Sequence, residues 1–101
     1  MRKQYFLTKS AEADLIEIIT YTLEEWGEEQ VYTYQRQLES RLEAILQFPD
    51  IGRKHPKLPS NIFYLVEGKH YIFYKKIDKD IEILRFLHHK VDILSQLTDE
   101  L

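Results

Sequence analysis

The stretch Leu-Arg-Phe-Leu-His-His-Lys-Val-Asp, residues 84–92, gathers the groups of this chain that could do chemistry. An apolar run carries one arginine, Arg85, and stops on His88 and His89. A guanidinium offers five N–H donors in a flat fork that matches a carboxylate or a phosphate. It is costly to bury unpaired, so Arg85 is either half of an ion pair or a contact group for another molecule. The two histidines raise the question of a metal. Adjacent strand residues point to opposite faces, so the two rings do not readily share one ion. Neither a cysteine nor an H-x-x-x-H spacing accompanies them. A structural role at the end of a sheet is expected instead, with no metal and no cofactor. The second concentration of charge is Arg53-Lys54-His55-Pro56-Lys57, a basic patch suited to phosphate or acidic side chains. There is no Ser-His-Asp order, no P-loop, no G-x-G-x-x-G and no paired-carboxylate motif, and three glycines leave little for a phosphate-cradling loop. No residue is assigned a catalytic role.

Length and charge narrow the partners. The 101 residues make about one domain, taken as 1–101, with roughly two thirds of the unfolded surface buried. Residues 1–10 carry three bases and no acids, residues 11–48 nine acids and two bases, and residues 49–101 nine bases and eight acids. A protein that grips a phosphate backbone needs a basic face. The acidic front half argues against general or sequence-specific nucleic-acid binding, while leaving room for a local basic site. No run of 18 apolar residues exists, so no membrane span is expected. The N-terminus has no apolar signal core and the chain has no cysteine, which together predict a cytoplasmic protein.

Periodicity supplies the elements that must hold these groups. Gln4-Tyr5-Phe6-Leu7 reads as a short strand with Thr8 as an N-cap. Ala11, Leu15, Ile18, Ile19, Thr22 and Trp26 then recur at helical spacing, Gly27 interrupts, and Val31, Tyr34, Leu38, Leu42 and Ile45 repeat the pattern up to Pro49. Residues 9–26 and 28–48 are thus expected to form an antiparallel helical hairpin. Its off-stripe Tyr21 and Tyr32, with the flanking Ile16 and Leu23, offer a contact surface. Residues 49–60 hold all three prolines and read as a loop. Residues 62–66, 70–74 and 81–87 are rich in β-branched and aromatic side chains and read as three strands with short turns. Residues 89–99 are expected to contain a short helix. The fold class is therefore α+β, in the order β-α-α-β-β-β-(α): an antiparallel meander with an N-terminal strand and a helical hairpin on one face. Strict alternation along the last strand turns Leu84 and Phe86 towards the helices and Arg85 towards an open face.

Four blocks in this order, LTKSAEADLIEIITYTLEEWGEEQ, FPDIGR, GKHYIFYK and ILRFLHHKVD, resemble the ParE toxins within the RelE/ParE toxin–antitoxin superfamily. The resemblance covers most of the chain and implies the same element order. It implies the toxin of a type II system, wrapped by a cognate ParD-like antitoxin and acting on DNA gyrase through its A subunit, without catalysis of its own. Ile16, Tyr21, Leu23 and Tyr32 are the expected antitoxin contacts. Arg53, Lys54, Lys57, Arg85 and Lys90 are the expected target contacts. RelE-like members instead cleave mRNA in the ribosome with a basic site on the open sheet face, which is the alternative activity. Two departures from the ParE pattern stand out: SNIFYLVEG lacks arginine, and the tail HHKVD holds one base. They leave a degenerate, antitoxin-bound module as a third reading.

Overall fold

The structure, a computed structural model, describes residues 3–97. Its elements are β1 (Tyr5–Leu7), α1 (Lys9–Trp26), α2 (Glu28–Gln47), β2 (Ile62–Glu67), β3 (His70–Ile77), β4 (Asp80–His88) and α3 (Ile93–Leu97). The expected order is observed. The terminal helix is shorter than the expected segment, whose residues 98 and 99 lie outside the described residues.

Local chemistry sets the boundaries. Thr8 accepts a hydrogen bond from the Ala11 N–H through its hydroxyl at 3.0 Å, satisfying a donor in the first turn of α1. Gly27 ends α1 and starts α2 at φ +88°, a backbone conformation that glycine adopts without the Cβ penalty. Its N–H bonds to the Leu23 carbonyl, and its own carbonyl accepts from Val31.

The sheet order is β1-β4-β3-β2, with β2, β3 and β4 antiparallel and β1 added in parallel to β4. β1 covers only Ile81 to Ile83 of its neighbour. Beyond it the edge of β4 would be bare, and Thr8 takes over: its N–H donates to the Ile83 carbonyl at 3.0 Å and its hydroxyl to the Leu84 carbonyl at 2.8 Å. Buried backbone groups need such partners.

The helix-facing core joins Ala11, Leu38, Leu42 and Ile45 to Phe63, Ile72, Tyr74, Ile81, Ile83 and Phe86. Leu15 and Ile18 pack at its border. Trp26 departs from the expected stripe. As the last residue of α1, at the tip of the hairpin, it is 69% exposed.

Two expectations about β4 are corrected. Its pairing passes from Tyr74↔Ile83 to Phe73↔Arg85, so Leu84 is an extra residue in a β-bulge. A bulge resets the alternation of faces. Ile83 and Phe86 both join the helix-side core, while Leu84 and Leu87 point the other way. Nor is that other face open. Leu58 from the loop and Leu97 from α3 close over Ile62, Phe73, Leu84 and Leu87, with Tyr64, Tyr71, Val91 and Ile93 around them.

Candidate functional site

Arg85 is held by the fold on two sides. Its Nε and Nη2 donate to the two carboxylate oxygens of Asp14 at 2.6 and 2.7 Å, and its Nη1 donates to the Gln96 carbonyl at 2.8 Å. The two side chains are 16% and 10% exposed. Asp14 also accepts the Phe86 N–H at 3.0 Å, on the stretch of β4 that β1 does not reach. One carboxylate thus ties α1 to the edge of β4, and one guanidinium ties both to α3. The expectation that Arg85 stands on an uncovered face is corrected: the bulge and the α3 cover place it in a bidentate ion pair. The partner was missed in the sequence, although Asp14 carried a signal. It lies between Ala11 and Leu15 on the apolar stripe, where an unpaired carboxylate would be costly.

The histidines gather at one end of the sheet. His70 pairs with His88 across β3 and β4, with ring centroids 5.4 Å apart edge-on, and His88 stacks on His89 at 4.5 Å. The His89 N–H bonds to the Lys69 carbonyl, fixing the strand end to the β2–β3 turn. Burial, followed by the neighbouring imidazoles, pushes His70 below its ordinary value. His88 is lowered by desolvation, His89, Lys90 and Lys69. Among the described residues no group of three or more His, Asp or Glu side chains is placed to hold a metal ion.

His70 and His88 line an open groove of about 750 Å³ between the hairpin and the β2–β3 turn, with Ile18, Tyr21, Trp26 and Tyr34 along its helical wall. The Tyr34 hydroxyl is pushed up to about 12, by burial first and by Glu67 second. The expected antitoxin contacts are all exposed: Ile16 at 66%, Tyr21 at 60%, Leu23 at 47% and Tyr32 at 64%. They do not form one cluster. Tyr21 borders the groove. Ile16 and Leu23, seven apart, share another strip of α1. Tyr32 lies on α2 beside Glu29, Gln30 and Arg36.

The basic loop is anchored from beneath. The buried Tyr74 hydroxyl donates to the Pro49 carbonyl at 2.8 Å and accepts the Gly52 N–H at 2.9 Å. A Cβ at Gly52 would fall 2.5 Å from that hydroxyl and 2.8 Å from the Phe63 Cβ, so the backbone approach requires glycine. Arg53 bridges Tyr64 through both backbone groups at 2.8 Å, extending the sheet by one residue. Arg53, Lys54 and Lys57 are exposed. Lys90 is exposed too, two residues beyond the end of β4 at His88. The Lys54 ammonium lies 5.3 Å from the Phe63 ring centroid and that of Lys76 5.6 Å from it. Lys76 was missed because nothing in its strand spacing points at the loop.

With this geometry in view, the model of the "ParE toxin of type II toxin-antitoxin system, parDE" matches residues 5–93. "Toxin ParE1" of Caulobacter vibrioides is 34% identical over 95 residues, covering 94% of this chain and 98% of that protein. A solved structure, "Chromosomal ParDE TA system from P. aeruginosa", superposes with a TM-score of 0.70 at 20% identity, covering 87% of this chain and 96% of that one. The isolated E. coli RelE toxin superposes with a TM-score of 0.59 at 12% identity, covering 98% of both chains, and shares the fold. The chain belongs to the ParE toxin family of type II toxin–antitoxin systems.

Proposed function

We propose that this protein is a cytoplasmic toxin that inhibits DNA gyrase by contact with its A subunit, without catalysis of its own, and that a cognate ParD-like antitoxin neutralises it by wrapping the helical hairpin. The observation that carries the antitoxin part is the exposure of Ile16, Tyr21, Leu23, Trp26 and Tyr32 on separate strips of one hairpin. Aromatic side chains are enriched at protein interfaces, and Tyr21 and Trp26 line one groove. The spread of these exposed residues around the hairpin suits an extended or helical segment that follows the surface better than a flat globular face. The groove beside Trp26 and Tyr34 offers such a segment an anchor pocket. Hydrogen exchange tests this directly: added protection across residues 12–36 on antitoxin binding is expected, and its absence would move the site elsewhere.

The gyrase part rests on family membership and on where charge is left accessible. Arg53, Lys54 and Lys57 stand on a loop anchored by Tyr74, exposed and ready for contact, and Lys90 is exposed just past the end of β4. Arg85 drops out of the contact set, because its fork is spent on Asp14 and Gln96. The same fact weighs against the ribonuclease alternative. The face a RelE-like site would use is filled by Leu58 and Leu97, and its arginine is already paired. Supercoiling of relaxed plasmid by purified gyrase, with and without the toxin, separates the two activities.

A further inference from the structure

The loop and β3 enclose a second cleft of about 460 Å³, lined by Asp50, Gly52, Lys54, Ser60, Asn61, Phe63 and Lys76. Its charges are unequal. The Lys76 Nζ bonds to the Asp50 Oδ1 at 2.7 Å, whereas Lys54 makes no ion pair among the described residues. Both ammonium groups lie over the same aromatic ring, which gives the cleft an apolar wall and two cations against one carboxylate. Ser60 and Asn61 add neutral side-chain donors at the rim. The floor is fixed: Gly52 is tied to the Tyr74 hydroxyl, so the loop need not be ordered when a ligand enters.

We propose that this cleft is a receptor for a carboxylate side chain of a protein partner, seated between Lys54 and Lys76. The proposal rests on reading the 53–57 loop as a partner-contacting surface, but not on which protein the partner is. Charge complementarity selects an acidic ligand. Two observations select protein over nucleic acid. Asp50 stands in the cleft itself, and Asp78, Asp80 and Glu82 are interleaved with the lysines of the adjoining strand ends. A phosphate backbone gains from a continuous run of cations, and beyond Lys76 the adjoining strand ends alternate acids with lysines, whereas a single carboxylate needs only Lys54 and Lys76. Next to the cleft in the chain, Phe48 and Ile51 are exposed, supplying the apolar component of a protein interface.

The test uses the full chain and short capped peptides, followed by amide NMR at low salt. A polyglutamate peptide is expected to shift the Gly52, Ser60 and Asn61 amides to saturation, and a polyglutamine peptide of equal length is not. Lys54→Gln should weaken the polyglutamate affinity by about threefold or more, the upper part of the range for an exposed charge pair. Asp50→Asn should change it in the opposite direction, by removing the competing carboxylate. Both substitutions are at the surface and leave the core untouched. The proposal is overturned if polyglutamate leaves these amides unmoved, if polyglutamine shifts them equally, or if Lys54→Gln binds as well as the parent. It is also overturned if a thymidine oligonucleotide occupies the same amides more tightly than polyglutamate, since the occupant would then be a phosphate. Gyrase takes no part in the measurement, so failure of the gyrase reading shows separately, in supercoiling.

Discussion

Asp14 and Arg85 are separated by 71 residues and joined by two parallel hydrogen bonds of 2.6 and 2.7 Å. The pair closes the part of the β4 edge that the three-residue β1 leaves uncovered, because Asp14 also takes the Phe86 N–H. It is a structural clasp between the first helix, the last strand and α3.

Removing one member of the clasp should therefore be a stability lesion. Asp14→Ala takes the carboxylate away from a strand N–H and from a largely covered guanidinium, which keeps the Gln96 carbonyl, and is expected to cost about 3 kcal/mol in urea unfolding. The double change Asp14→Ala with Arg85→Ala should cost clearly less than the sum of the two single changes. Simple additivity would mean that the two side chains do not act as a pair.

The loop anchor gives a second expectation. Tyr74→Phe removes the hydroxyl that serves both Pro49 and Gly52, and should cost about 1–3 kcal/mol. Gly52→Ala forces a Cβ into Tyr74 and Phe63 and should lower stability by a similar amount. Thermal unfolding of both variants, with hydrogen exchange at residues 49–54, checks this. Unchanged exchange in the loop would contradict the anchor.

Two apolar residues of the hairpin should separate stability from binding. Leu42 is 5% exposed in the helix-side core, so Leu42→Ala should cost about 2–5 kcal/mol. Trp26→Ala should change stability by less than about 0.5 kcal/mol, the ordinary range for a surface site. It should nonetheless weaken antitoxin binding by at least about tenfold, as truncation of an aromatic anchor does. Calorimetric titration with the antitoxin decides. Unaltered affinity would take Trp26 out of the interface.

Acid should destabilise the histidine end of the sheet. His70 is depressed below the ordinary 6.5 by burial, with His88 and His89 adding to the effect and Asp14 opposing it. The unfolded chain then binds more protons than the folded one between the depressed value and 6.5. This contribution is fully present above about pH 6.5 and is lost as pH falls through the folded value. The urea midpoint should decline from about pH 7.5 to about pH 5.5, and His70→Gln should flatten that decline. A midpoint that rises on acidification would contradict the assignment.

Much of the frame was legible because it depends on local pattern. Thr8, Gly27 and Pro49 punctuate the hairpin, and Ala11, Leu38, Leu42 and Ile45 mark its buried stripe. The face of Arg85 was not legible, for two physical reasons. The bulge at Leu84 adds one residue to β4, and period-two reasoning has no term for an insertion. The cover on the second face comes from Leu58, in a proline-rich loop, and from the five-residue α3, neither of which announces a core position by periodicity. At the candidate sites, the exposure of Ile16, Tyr21, Leu23 and Tyr32 followed from the helical wheel. The meeting of Lys54 and Lys76 over Phe63 did not, since it depends on how the loop returns to the sheet.

The central claim is inhibition of gyrase by contact, and the most direct measurement is ATP-dependent supercoiling of relaxed plasmid by purified gyrase. The account predicts loss of supercoiling as this protein is added, recovery when a molar equivalent of its antitoxin is present, and no cleavage of mRNA in a translating ribosome mixture. Supercoiling that continues unchanged under a large excess of folded toxin would contradict it, as would toxin-dependent mRNA cleavage.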